Sequence, residues 1–395
     1  MASLLLAIIY LAFISLGLPD SLLGSAWPEM HQVMGVELSA MGIVTTLISI
    51  GTVVSSLFSD AVTKKLSTPI VVAISVGLTS VGLMGFSFAP RFWVLCLFAI
   101  PYGLGAGSID AALNNYVALH YTSRHMSWLH CFWGVGTVVS PYVMSYALST
   151  ELGWAGGYRI VGGIQILILA VLIATLPVWK KVNHNATTDT DEPEEQRNSV
   201  GLIGSLKIKG VVYVLLGFMG YCAAESTVMV WASTYFFEAK STTAELAAAL
   251  GSLFFIGMTV GRFFCGFISN RVGDKNMIRF GLGLSAAGVI IVAIPGGLPL
   301  AIAGFLLIGL GFAPVYPSII HSTPASFGKE NSQAIIGIQM AAAYLGATLA
   351  PPIFGLIANY IEVKLLPLYL GIFIVTSFVM LELLNRKNIE KVNKY

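Results

Sequence analysis

The chain has 395 residues, of which 56% are hydrophobic and only 10% are charged. Soluble globular proteins carry about 25% charged residues, so this composition excludes an ordinary soluble domain and indicates a protein of the lipid bilayer. The formal net charge of +2 gives no indication of a nucleic-acid partner.

The predicted elements are membrane-spanning helices, since about 20 apolar residues are needed to cross the hydrocarbon core. Charges, polar turns and Pro/Gly clusters divide the chain into twelve candidates. They cover residues 4–28, 38–62, 67–88, 92–119, 126–149, 156–179, 208–236, 243–269, 276–295, 298–321, 331–359 and 365–385. The first candidate lacks the basic start and the small-residue cleavage site of a signal peptide, so it is predicted to remain as a span.

One long polar stretch interrupts the spans, from Lys180 to Lys209. It contains TTDTDEPEEQRN, a composition typical of a disordered linker. We therefore predict an all-α membrane protein of twelve transmembrane helices. An N-terminal six-helix bundle occupies residues 1–179, a cytoplasmic linker 180–209 and a C-terminal six-helix bundle 210–395.

The basic residues set the orientation of the spans. With both termini on the cytoplasmic side, sixteen of the 21 Lys and Arg residues fall on that side, as the positive-inside rule requires. The predicted location is the cell (inner) membrane, as a multi-pass protein with cytoplasmic N- and C-termini.

The two halves of the chain resemble each other. Four stretches recur in the same order roughly 205–210 residues later, as expected for repeated bundles. GTVVSSLFSDAV from position 51 matches GRFFCGFISNRV from 261, GLG at 103 recurs at 309, GTVVSP at 136 recurs as GATLAP at 346, and PDSLLGSAW is echoed by AESTVMVW. We therefore expect two pseudo-symmetric bundles.

Charged side chains at membrane depth are candidate functional residues, since each costs roughly 2.5–3.5 kcal/mol on insertion scales. Four lie within the predicted spans: Asp20, Asp110, Glu225 and Arg262. The three carboxylates are the predicted proton-coupling residues. Asp110 is the favoured carrier, which would hold a proton in a dry, occluded state and release it to cytoplasmic water.

Helical spacing places the polar residues of three spans on single faces. Because polar groups are costly against lipid, these faces are expected to converge on the bundle axis and line a pocket. Carboxylates, amides and aromatic rings together suit a sugar or a similar polyol. The predicted solute-binding residues are Asp20, Asn114, Asn115, His130, Trp133, Glu225, Gln339 and Tyr344.

Structural roles are the alternative for several of these residues. Asn114 and Asn115 also suit hydrogen bonds between helices, and His130 suits a structural hydrogen bond. Arg262 lies two turns from the cytoplasmic end of its span, so it would alternatively extend to the interface or pair with an acid of a loop.

Six stretches carry a resemblance to a known family: GLPDSLLGSAWP, GSIDAALNNYV, SWLHCFWGVGTVVSP, YCAAES, GLGFAPVYPSI and AAAYLGATLAPPIFG. On these, the chain resembles the major facilitator superfamily over its whole length. Within it, the chain is similar to the fucose permease family of proton-coupled sugar symporters and the related sodium-dependent glucose transporters.

The resemblance implies roles for individual residues. The family's acids in spans 1 and 4 correspond to Asp20 and Asp110, of which the second is the proton carrier and the first couples protonation to sugar binding. Fucose permeases carry a glutamate at the position of Asp110, and a glutamine and an asparagine where His130 and Trp133 align. The identity of the sugar therefore does not carry over.

The superfamily's cytoplasmic-loop motif survives in part, as SDAVTKKL from position 59 and GFISNRVGDKNMIR from 266. Its role in the family is gating by salt bridges. Asp60, Arg262, Arg271 and Lys275 are therefore the predicted cytoplasmic gate residues.

Three functions remain open. The first is symport of a sugar or sugar-like solute by alternating access, coupled to protons or alternatively to sodium. The second is proton-coupled efflux of a drug or metabolite, although the segment Ser140-Pro141-Tyr142-Val143 lacks the Gly-Pro and paired glycines of the antiporter signature. The third is a receptor or scaffold on the same fold.

No catalytic triad, phosphate-binding loop or cluster of metal ligands is visible in the sequence, and the four cysteines stand singly within apolar stretches. We therefore expect a protein that is not an enzyme and needs neither a cofactor nor a bound metal. Its expected partners are the lipid bilayer and a small solute, and we expect it to be a monomer.

Overall fold

The computed structural model describes residues 2–36, 40–179, 201–242 and 244–392, and the regular secondary structure in these ranges is helical throughout. The chain divides into two compact units. The first comprises Met1–Tyr116 and Leu129–Gly201, and the second comprises Val117–Trp128 and Leu202–Tyr395.

The helices of the first unit follow the predicted spans. They are α1 Ala2–Asp20, α2 Leu22–Met34, α3 Met41–Leu66, α4 Thr68–Ser87, α5 Phe92–His120, α6 Ser123–Leu148 and α7 Gly153–Ala174. The turn from α3 to α4 shows how local backbone chemistry sets the boundary between two helices. Ser67 has a φ of 68°, which ends α3, and Pro69 lies in the first turn of α4, where its missing N–H costs no helical hydrogen bond.

The second unit repeats this arrangement after a short helix, α8 Gly201–Leu206. Its helices are α9 Val211–Thr234, α10 Ala244–Val272, α11 Asp274–Ala293, α12 Leu298–Phe312, α13 Val315–His321, α14 Thr323–Phe327, α15 Lys329–Tyr360 and α16 Leu366–Val392. A π-helical turn, Tyr235–Ala239, follows α9.

In the part of the chain that the structure describes, eleven helical segments are long and apolar enough to cross a membrane. The predicted span that is missing from this set is 126–149, which the structure shows as α6. Polar side chains such as Ser127, His130 and Ser140 interrupt its apolar sequence, and the last two of these belong to the site described below.

Two predicted spans contain a short break in their regular helix, although each is still a single segment long and apolar enough to cross a membrane. The span predicted over 4–28 is broken at Ser21, between α1 and α2 and two residues after Pro19, which lacks a backbone N–H. The span predicted over 298–321 is broken between α12 and α13 at Pro314. Hydropathy alone does not register such breaks, because its average over a span is dominated by the apolar residues on either side of them.

The linker prediction lies mostly outside the described residues, which resume at residue 201. Its last part was wrong in one respect, because Gly201–Leu206 forms α8 where the polar composition predicted disorder. The sequence GLIGSL is apolar, unlike the acidic stretch before it, so it suits a helix.

The internal repeat has a structural counterpart in the helix contacts of each unit. A Cβ added to Gly103 on α5 would lie 2.2 Å from the carbonyl oxygen of Ile48 on α3, and one added to Gly309 on α12 would lie 2.3 Å from that of Phe254 on α10. Both glycines therefore allow the same close approach of two helices, which a larger residue would prevent.

Candidate functional site

The first element of the site is the break between α1 and α2. The Ser140 hydroxyl on α6 donates a hydrogen bond to the backbone carbonyl of Leu18. The Ser21 hydroxyl donates to the carbonyl of Thr137, also on α6, at 2.7 Å. One hydroxyl thus satisfies a carbonyl beside the break and the other satisfies a carbonyl of α6, and the two bonds hold the segment around Asp20 against α6.

Asp20 forms the exposed part of the site. Its side chain is accessible although its position in the sequence is deep within a predicted span. The indole Nε1 of Trp133 donates to Oδ2 of Asp20 at 2.8 Å, and the Tyr102 hydroxyl is near enough to interact with the same carboxylate. A Cβ on Gly17 would lie 2.1 Å from the carbonyl oxygen of Trp133, so the close approach of α1 and α6 sets the distance between carboxylate and indole.

Asp110 lies at the start of a buried hydrogen-bonded chain. The amide Nδ2 of Asn114, one turn further along α5, donates to Oδ1 of Asp110 at 2.6 Å and to its backbone carbonyl at 3.0 Å. Nε2 of His130 on α6 lies 3.1 Å from Oδ1 of Asn114. All three side chains are buried, and Asn114 is 0% exposed.

The geometry of these three hydrogen-bonded side chains determines which of their atoms carry hydrogens. Because Nδ2 of Asn114 faces the carboxylate, its Oδ1 faces His130 and can only accept. Nε2 of His130 must therefore carry a hydrogen. The imidazole ring also packs edge-on against Phe13 of α1, with ring centroids 5.4 Å apart, so its orientation is held from two sides.

The second unit contains a buried ion pair. Nη2 of Arg262 on α10 lies 3.1 Å from Oε1 of Glu225 on α9, and the two side chains are 4% and 13% exposed. Arg262 does not extend to the interface or pair with a loop acid, the two structural roles considered from the sequence. The Tyr221 hydroxyl, which interacts with Glu225, donates to the carbonyl of Phe312 at the end of α12.

A polar cluster at the ends of several helices was not predicted. It lies within the second unit, which includes the loop between α5 and α6. Asp274 accepts a hydrogen bond from the Ser123 hydroxyl at 2.5 Å, and its other oxygen lies 2.5 Å from Nδ1 of His321. Nε2 of His321 lies 3.1 Å from the carbonyl oxygen of Tyr121. Both ring nitrogens of His321 face hydrogen-bond acceptors. Only the protonated ring, imidazolium, has a hydrogen on each nitrogen and can donate both bonds.

The remaining predicted site residues have mixed environments. Asn115 is buried on α5 and Tyr344 is half-buried on α15. Gln339 is fully buried, and its Oε1 accepts a hydrogen bond from the Thr323 hydroxyl at 3.1 Å. These environments suit interhelical hydrogen bonding, and a direct role in binding solute remains a prediction.

The predicted gate residues are likewise dispersed. Asp60 forms an ion pair with Lys64 one turn away on α3, at 2.9 Å. Arg271 is exposed in the last turn of α10, and Lys275 is half-buried in the first turn of α11. A gating role for these residues and for Arg262 remains a prediction.

Sequence reasoning missed Tyr102, Tyr221, Asp274 and His321. The two tyrosines lie on the same spans as Asp110 and Glu225, but a tyrosine in a span is ordinarily taken as core. Asp274 directly follows Gly273, whose φ is 78°. An acid that follows a glycine at the start of a helix was the available signal, but Asp274 lies outside the predicted spans, where a charged residue is not unusual.

The comparisons with known proteins agree with this helical architecture. A model of the Major Facilitator Superfamily matches residues 9–251 and 214–394. The chain belongs to the Major Facilitator Superfamily. It is 27% identical over 366 residues to the uncharacterized transporter y4wD of Sinorhizobium fredii, covering 89% of this chain and 91% of that relative.

Two solved members of the superfamily share the fold. A variant of the E. coli fucose:proton symporter FucP has a TM-score of 0.74 and 16% identity, covering 95% of this chain and 98% of that one. The proton:xylose symporter XylE, bound to 6-bromo-6-deoxy-D-glucose, has a TM-score of 0.80 and 14% identity, covering 96% and 95%. At such low identity the likeness concerns the fold, which is that of a multi-pass membrane transporter.

Proposed function

We propose that this transporter is a proton-coupled symporter that moves a sugar or sugar-like solute by alternating access. The observation that carries the proposal is the chain Asp110–Asn114–His130, which connects a buried carboxylate on α5 with the helix that bears Trp133. Coupling requires that the proton site and the solute site influence each other. The three hydrogen-bonded side chains provide a physical connection between them.

The solute is assigned to the accessible carboxylate–indole pair of Asp20 and Trp133. An indole face can pack against the apolar face of a sugar ring, while the carboxylate oxygens accept hydrogen bonds from sugar hydroxyls. Asn114 and His130 are buried and bonded to each other. In this arrangement they position neighbouring groups rather than contact the solute.

The proposed coupling step is a change in the strength of one hydrogen bond. While Asp110 is charged, it accepts a charge-assisted bond from Asn114, roughly twice as strong as a neutral one. A proton on Asp110 weakens this bond and loosens the orientation of the Asn114 amide, and with it that of His130. Trp133 follows His130 by three residues on the same face of α6, so the change reaches the indole that bonds to Asp20.

The names of the structural neighbours support the proposed class of transport. FucP is named a fucose:proton symporter and XylE a proton:xylose symporter. Both names combine a sugar with a proton. Sodium coupling and proton-coupled efflux of a drug or metabolite are the alternatives that the experiment must distinguish.

Reconstituted proteoliposomes test the proposal with L-fucose, D-xylose and D-glucose as probes. Addition of a transported sugar should make the external medium more alkaline, because protons enter with the sugar. An antiporter would acidify it, and a sodium symporter would leave the pH unchanged but require sodium.

The variant Asp110→Asn tests whether Asp110 carries the coupled proton. The amide mimics the protonated carboxyl group, so the variant should retain sugar exchange across the membrane and lose accumulation driven by a pH gradient. Asp110→Glu is the matched control, because it keeps the carboxylate and should keep part of the accumulation. If Asp110→Asn accumulates sugar with an unchanged pH dependence, Asp110 does not carry the proton.

A further inference from the structure

A groove of about 250 Å³ lies on the first unit between α3, α4 and α5. Its wall on α3 consists of Val54, Phe58, Val62 and Leu66, which are 41%, 60%, 36% and 39% exposed. Ile74 of α4 forms part of the opposite wall and is 47% exposed. Serine hydroxyls are the polar groups among the lining residues.

The glycines of α5 explain why the groove exists. A Cβ on Gly107 would lie 2.2 Å from the carbonyl oxygen of Thr52 on α3, whereas one on Gly105 would lie 2.5 Å from that of Ser75 on α4. Gly107 therefore allows α3 to pack closely against one side of α5, and Gly105 allows α4 to pack closely against the other. Leu104 and Ser108 form the floor of the gap between them.

The length of the groove matches one leaflet of a bilayer. From Val54 to Leu66 the helix rises about 18 Å at 1.5 Å per residue, while half of the hydrocarbon core is about 15 Å. Leu66 is the last residue of α3. The groove thus begins at a membrane surface, which the distribution of basic residues predicts to be the cytoplasmic one.

A basic residue stands at this end of the groove. Lys65 follows Val62 by three residues and therefore lies on the same face of α3, where it is exposed. Lys64 is paired with Asp60, so the three charges sum to +1.

We propose that this groove binds an acidic phospholipid of the cytoplasmic leaflet. One acyl chain lies along Phe58 and Val62 above the floor at Ser108, and the phosphate is bound by the ammonium group of Lys65. A zwitterionic lipid would fill the groove equally well but would not gain the same attraction, since Lys65 attracts the net negative charge of the headgroup. The proposal is independent of the transported solute.

Native mass spectrometry of the purified full-length protein tests this site. The protein is mixed in detergent with equal amounts of dioleoyl phosphatidylglycerol and dioleoyl phosphatidylcholine, which share their acyl chains. We expect phosphatidylglycerol to remain bound about fivefold more often, because only its headgroup carries the net negative charge that Lys65 attracts. Lys65→Ala should remove this preference, and Lys207→Ala, an exposed lysine on the second unit, should leave it unchanged.

A second variant tests the acyl chain independently of the headgroup. Ser108→Phe places a ring in the floor of the groove and should reduce retention of both lipids, and Ser108→Leu serves the same purpose if the larger side chain prevents folding. Equal retention of the two lipids by the unmodified protein would overturn the proposal, as would a preference that survives Lys65→Ala. Protein dimers in place of lipid adducts, lost in Ser108→Phe, would instead identify the groove as a contact between two copies and would equally overturn it.

Discussion

The ion pair between Glu225 and Arg262 allows a quantitative test of the structure. At a separation of 3.1 Å, an effective dielectric constant of about 20 gives an attraction of about 5 kcal/mol. Removal of one partner leaves the other charge buried without compensation, which typically costs about 3–5 kcal/mol. Removal of both avoids that penalty, so the two effects should not add.

A double-mutant cycle measures this coupling. Arg262→Met and Glu225→Gln should each lower the free energy of unfolding by about 3–5 kcal/mol, and the double variant should lose much less than their sum. Unfolding is followed by circular dichroism in mixed micelles with increasing dodecyl sulfate. The control cycle uses Arg279→Met and Glu382→Gln, a pair whose side chains are 40% and 24% exposed, where screening by solvent should leave a much smaller coupling.

Two outcomes would contradict the expected coupling. Single effects that add to within about 0.5 kcal/mol would mean that the two charges do not stabilise each other. A coupling no larger than that of the exposed control pair would mean that burial contributes nothing. The same double variant also tests function, because pH-driven accumulation of sugar by this variant would exclude Glu225 as a coupling residue.

Three further predictions use simpler measurements. Trp133→Ala should weaken sugar binding by on the order of 1–3 kcal/mol in a thermal-shift titration if the indole packs on the ring; an unchanged affinity would remove Trp133 from the site. Gly103→Ala should destabilise the protein by about 1–3 kcal/mol, because its Cβ would overlap the carbonyl oxygen of Ile48. Gly163→Ala, which meets nothing within 4 Å, should be neutral or slightly stabilising, and equal effects of the two would contradict the helix contact. Cysteines introduced into the 180–209 linker should resist an impermeant maleimide added to intact cells, whereas labelling would reverse the predicted orientation.

The sequence was sufficient to predict most of the helices, because crossing a bilayer imposes a length and a composition that few alternatives satisfy. It was less informative about continuity. Pro19 was visible in the first span, but whether a proline kinks or breaks a helix depends on what satisfies the backbone nearby. Here the Ser140 hydroxyl donates to the carbonyl of Leu18, and the Gln165 amide donates to that of Ser15, four residues before Pro19. Both donors lie more than a hundred residues away in the sequence.

Helical periodicity indicated which side chains share a face, but not which faces meet. Asp110 and Asn114 were placed together because they lie one turn apart on the same helix. The contact of Asn114 with His130 and that of Asp20 with Trp133 depend on how closely α5 and α1 approach α6, which spacing along one helix does not determine. For the same reason Glu225 and Arg262 were recognised as unusual without being recognised as partners.

The repeated contacts between glycines and carbonyl groups allow the two halves to be compared residue by residue. A Cβ on Gly136 would meet the carbonyl oxygen of Ile14 at 2.4 Å, and one on Gly346 would meet that of Met219 at 2.5 Å. Asp20 and Glu225 each lie six residues beyond these carbonyls, so they occupy equivalent positions, as duplication of an ancestral six-helix bundle would produce. Since then their surroundings have diverged. One acid receives a hydrogen bond from a neutral indole and stays accessible, whereas the other is neutralised by a guanidinium group and enclosed. The same position in the two halves thus places one carboxylate where its partner can be exchanged and the other where it joins two helices.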